Sequence, residues 1–75
     1  MRIEELFASV LNLPVTSLDD ESSPATIKNW NSLGHLKLIT AMEELYGVTF
    51  TSAEIRSIKS LGLARSILGT KGVVL

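Results

Sequence analysis

Trp30-Asn31-Ser32-Leu33-Gly34-His35-Leu36 is where a long turn-rich segment gives way to the best helical pattern in the chain. Asn31 is a good N-cap, because its side-chain oxygen accepts from the free backbone N–H groups of a first helical turn. Ser32 falls in that turn, where unpaired donors and the positive end of the helix dipole favour a bound or covalently attached phosphate. A hydroxyl so placed, beside the apolar Leu33, suits an attachment point. Taken by itself the pattern is also that of a serine that opens a helix and carries no chemistry.

Outward from Ser32, helical spacing continues to about Tyr46, with Gly47 as the left-handed residue that stops it. At ~100° per residue, Leu38, Ile39, Met42, Leu45 and Tyr46 gather on one face, opposite Lys37, Thr40, Ala41 and Glu44. Leu33 lies within that polar side and Leu36 at its edge. They read either as docking contacts or as isolated surface leucines. Upstream, Ile3, Leu6, Phe7, Val10 and Leu11 predict a helix over residues 2–11, ended by Asn12 and Pro14.

Residues 15–29 are polar and turn-forming around Leu18 and Ile27, and read as a long loop 1 pinned at those two points, with Leu13 or Val15 as a third. Downstream, Thr51 to Glu54 forms a capping box for a short helix through about Ser57 that buries Ile55 and Ile58. Ser60 caps a last helix over 61–68 with Leu61, Ala64, Ile67 and Leu68 inward and Gly69 at its end. Gly62 costs that helix ~1 kcal/mol relative to Ala, which predicts a short element. Residues 70–75 read as a loosely held tail. The expectation is one all-α domain over residues 1–75, with three main helices, one short helix and a long first loop.

Composition narrows the function. Seventy-five residues, 45% hydrophobic and 20% charged, suit one soluble globular domain near the lower size limit for an unaided core. Without cysteine and with a single histidine, neither a disulfide framework nor a thiolate or multi-histidine metal site is available. A net charge of −1 argues against bulk nucleic-acid binding, and against a small helix-turn-helix DNA binder in particular. No signal peptide or membrane-spanning run is legible, so a cytoplasmic, monomeric protein with no membrane partner is expected.

The chain resembles the acyl carrier protein family, a small four-helix domain, over nearly its whole length. The likeness rests on the helix order, the long loop 1, the Ser32-Leu33 pair that opens helix 2, the Glu43-Glu44-Leu45-Tyr46-Gly47-Val48 ending, and Ile58-Lys59-Ser60-Leu61 leading into the last helix. The Gly34-His35-Leu36 continuation looks like the stand-alone carriers of specialised lipid or secondary-metabolite pathways (polyketide assembly among them) more than a carrier of housekeeping fatty acid biosynthesis. The resemblance implies that Ser32 receives a covalent phosphopantetheine arm from coenzyme A. A separate phosphopantetheinyl transferase, bringing its own magnesium, would attach it, making the chain a phosphoprotein. The arm's thiol would then hold acyl groups as thioesters for acyl-loading and acyl-processing enzymes. The domain would not be an enzyme, since a serine with no base beside it is a poor nucleophile.

Two departures from the family pattern stand out. Asn31 replaces the aspartate of the motif Asp-Ser-Leu; it caps equally well but removes a carboxylate that the transferase and its metal can use. Helix 2 is also less acidic than in most relatives: at the positions of the family's partner surface stand Leu33, Gly34, Leu36, Lys37, Thr40, Glu43 and Glu44. Lys37 stands where an acid is usual, so specificity shifts toward apolar contact and shape. These departures keep open an alternative, an unmodified interaction module of the same fold that docks through helix 2.

His35 is three residues from Ser32, but its wheel position turns it toward the core and no acid orients it, so packing or loop anchoring is expected rather than catalysis. Trp30 either shields the attachment site or packs loop 1 onto the bundle.

Overall fold

A computed structural model describes residues 2–74, and all regular structure among them is helical. The order is α1 (Ile3–Leu11), a single 3-10 turn (Val15–Ser17), α2 (Ser32–Tyr46), α3 (Ser52–Ser57) and α4 (Leu61–Thr70). The ends obey local chemistry. Asn12 closes α1 in the left-handed conformation at φ 57°, and Gly47 closes α2 at φ 65°. Thr51 and Glu54 exchange both bonds of a capping box at α3, and the Ser60 hydroxyl accepts from Leu63 N at α4.

One core unites all four helices. Ile3, Leu6, Phe7 and Leu11 from α1 meet Leu38, Ile39 and Met42 from α2 and Leu61, Ala64 and Leu68 from α4, with Trp30, Phe50 and Ile58 filling the gaps from connecting segments. Each large side chain fully buried this way contributes about 1.5–3 kcal/mol of transfer free energy. The short α3 buries none of its own residues; Ile58, just past its end, is the deep one, while Ile55 is only partly covered.

Loop 1 is held by polar groups as well as apolar ones. Leu13, Leu18 and Ile27 pack against the core, whereas Val15 is exposed and is not the third anchor. Asn29 Nδ2 donates to Leu11 O at 2.9 Å. Leu61 N and Gly62 N, free donors in the first turn of α4, donate to Ser22 O and Asp20 O at 3.0 and 2.9 Å. A Cβ on Gly62 would lie 2.9 Å from Asp20 O, so this glycine is what lets the loop close on α4. Arg65 then ties three segments together, reaching Glu4 at 2.8 Å and Asp20 at 3.1 Å.

Three sequence expectations are corrected. Leu45 is 44% exposed rather than inward, because it flanks a shallow groove between α1 and α2 beside Val10; Ala41, expected outside, packs partly against the core. The last helix runs to Thr70, past Gly69, so residue 70 of the expected loose tail is helical. Lys71 bonds to Glu54 at 2.8 Å and lies 5.3 Å from the Phe50 ring centroid, and Val73 packs on the core. Leu75, the end of that expected tail, lies outside the described residues.

Candidate functional site

Ser32 is exposed at the first position of α2. The Asn31 side chain accepts from Gly34 N at 2.9 Å, and Asn31 O accepts from His35 N at 2.8 Å. The N–H groups of Ser32 and Leu33 have no acceptor among the described residues. The cap therefore orders the turn while leaving two donors beside the hydroxyl.

Ser32 stands at the rim of an open groove of about 1140 Å³ that runs between loop 1, the start of α2, and α3. Its inner surface includes Trp30, His35, Ile55 and Ile58, and its α3 side carries Arg56 and Lys59. A chain of hydrogen bonds fixes the floor. Trp30 Nε1 donates to His35 Nδ1 at 2.9 Å, and His35 Nε2 lies 2.8 Å from Ile55 O. An indole N–H can only donate, so Nδ1 is the acceptor and Nε2 carries the proton given to Ile55 O. Both imidazole nitrogens are thus committed, and the histidine is unavailable as a base for Ser32. Trp30 is also buried edge-on against Phe7, with ring centroids 5.3 Å apart. Trp30 therefore packs loop 1 onto the bundle and lines the groove as well.

Not every residue of the expected partner surface lies on the surface. Leu33 and Leu36 are 63% and 57% exposed, and Lys37, Thr40 and Glu44 share the same open side of α2. Gly34 is buried: a Cβ there would lie 2.2 Å from Asn29 O. It is a point of close backbone approach, not a contact for a partner. Glu43 is also turned to internal use, since its Oε2 accepts from Phe50 N at 2.8 Å and secures the chain after α2.

Sequence reasoning missed the residues that hold α3 in place. The hydrogen bond from the Lys71 ammonium, together with Thr51 N–H, keeps the Glu54 carboxyl below the usual carboxylate range. Between α1 and α4 the Arg65 guanidinium does the same to Glu4. The Glu54–Lys71 pair joins α3 to the end of α4, and no local spacing signals a contact across 17 positions.

No metal-binding cluster of His, Cys, Asp or Glu occurs among the described residues, and no helix among them is long and apolar enough to cross a membrane. No family model matches the chain, and no curated protein matches it in sequence.

Proposed function

We propose that this chain is an acyl carrier protein whose Ser32 is the attachment point for phosphopantetheine. The observation that carries the reading is the exposed Ser32 hydroxyl in the first turn of α2, next to two unpaired N–H groups and at the mouth of an apolar-floored groove. The all-helical fold with its long, pinned first loop is compatible with it.

The chemistry divides cleanly between this chain and its partner. With His35 bonded on both nitrogens, the base that takes the Ser32 proton belongs to the transferase. Ser32 Oγ forms a bond to the pantetheine-side phosphorus of coenzyme A, the pyrophosphate linkage breaks, and adenosine 3′,5′-bisphosphate leaves. The N–H groups of Ser32 and Leu33 then face the resulting negative charge, which a helix start favours. Once attached, the group supplies a thiol, absent from the chain itself, on which acyl groups travel as thioesters. Leu33, Leu36, Lys37, Thr40 and Glu44 form the face offered to transferase and processing enzymes, and Leu33 and Leu36 supply its apolar contact.

Incubation with coenzyme A, magnesium and a promiscuous phosphopantetheinyl transferase, followed by intact-protein mass, tests the reading. One phosphopantetheine gained by the wild type and none by Ser32→Ala supports it. Because the Asn31 oxygen is occupied as a cap and brings no charge, Asn31→Asp is the informative second variant. Modification of that variant alone assigns a carrier fold that works by docking or with a dedicated transferase. No gain by either form overturns the carrier function.

A further inference from the structure

The groove beside Ser32 has a sign. Arg56 and Lys59 line its α3 side, and no Asp or Glu is among the described lining residues. Arg2 and Arg65 pair with Glu4, Arg65 also with Asp20, and Lys71 with Glu54, while Lys28 and Lys37 lie outside the groove lining. Arg56 and Lys59 have no such partner among the described residues. Two unneutralised cations therefore share a concavity with an apolar floor, on a chain whose net charge is −1. Above buried Trp30 and Ile58, half-covered Ile55 and exposed Pro24 and Ala53 offer methylene-compatible surface, and a neutral alkyl chain would use it while leaving both cations idle.

We propose that the groove between α2 and α3 favours cargo whose far end is a carboxylate, the apolar stem lying against Pro24, Ala53 and Ile55 and the carboxylate paired with Arg56 and Lys59. The inference rests on the carrier reading for how the cargo is tethered, while its sign comes from the groove alone. A carboxylate-ended acyl chain remains ionised at neutral pH, and the guanidinium of Arg56 matches it in a planar, two-pronged fashion that an ammonium cannot.

Tethering can be tested without any transferase. The chain has no cysteine, so Ser32→Cys creates one unique thiol at the exposed mouth of the groove. It is alkylated with two iodoacetamide probes of the same pantetheine-length spacer and chain, one ending in a methyl group and the other in a carboxylate. At low salt the carboxylate probe is expected to raise the melting temperature by roughly 2–6 °C more than the methyl probe, the scale of an exposed ion pair in a domain this small. It should also shift the Arg56 Nε–H resonance. The gap should close in the double variant Arg56→Gln/Lys59→Gln and in high salt; both side chains are exposed, so the variant keeps its core. Equal effects of the two probes, or a gap that survives in the double variant, overturn the proposal. The mass assay on wild-type protein runs in parallel. A carboxylate preference with no enzymatic loading of either the wild type or Asn31→Asp overturns the carrier reading and supports the anion-selective groove.

Discussion

Replacing Gly34 with alanine should destabilise the protein even though alanine is the better helix former. Propensity alone favours Gly34→Ala by up to ~1 kcal/mol. Against it stands a Cβ placed 2.2 Å from Asn29 O and 3.3 Å from Asn29 C. The obstacle is backbone, and it is tethered: Asn29 Nδ2 is bonded to Leu11 O, Trp30 N to Ile27 O, and the adjacent Trp30 is buried against Phe7. Forced overpacking of this kind costs about 1–3 kcal/mol, and a contact this short with a restrained neighbour belongs at the upper end. The expected net loss is ~2 kcal/mol, or roughly 8–16 °C in melting temperature for a domain of this size. Thermal and urea unfolding by circular dichroism measure it, and a red-shifted Trp30 emission would show loop 1 lifting from the bundle. Gly69→Ala is the control: nothing lies within 4 Å of its added Cβ, so it should gain up to about 1 kcal/mol. If Gly34→Ala matches or exceeds the wild type, the account of Gly34 as a close-approach residue is wrong.

Two further predictions concern the supports of the groove. Trp30→Phe keeps an aromatic ring but removes the donor to His35 Nδ1, leaving a part-buried acceptor without its partner. It should cost about 2 kcal/mol by urea unfolding, and a loss below about 0.5 kcal/mol would show the indole–imidazole bond to be dispensable. Acid should weaken the fold through Glu4 and Glu54, whose carboxyls are held low chiefly by hydrogen bonds from Arg65 and Lys71. Their contribution is complete above the unfolded value of about 4.3 and is lost as pH falls through the lower folded values. Lys71→Ala should therefore show a shallower loss of melting temperature below that value than the wild type; an unchanged acid limb would count against the pair.

Much of the helical framework was legible because it is written in short-range signals. Asn31, Thr51 with Glu54, Ser60 and Gly47 each act on groups within a few positions, and the observed starts of α2, α3 and α4 fall where these residues put them. The missed features depend on distant partners. Gly62 reads locally as a defect in a helix, and its use as the place where loop 1 meets α4 depends on Asp20, 42 positions earlier. Arg65 carries no local signal of its role, because its partners Asp20 and Glu4 lie 45 and 61 positions away. The end of α4 was misjudged for a related reason: Gly69 permits a stop, but Lys71 is held by Glu54 and Phe50 from another segment.

The α2 face shows where a helical wheel stops being informative. Spacing gives the direction of each side chain, and Leu33, Leu36, Lys37, Thr40 and Glu44 do lie in one open arc. It does not say which neighbouring segment crosses the helix. Loop 1 passes over Gly34 and buries it, and the chain beyond Gly47 folds back so that Phe50 N reaches Glu43 and leaves it half-buried. What remains carries one acid and one base beside two exposed leucines. Long-range steering by so balanced a face is weak, so a partner that reads it must gain its selectivity at close range. An unbalanced pair of cations, Arg56 and Lys59, lies instead along the α3 wall of the groove. On this chain, apolar shape on α2 and charge along the groove are therefore separate determinants, and substitutions at Leu33 and at Arg56 should affect different steps.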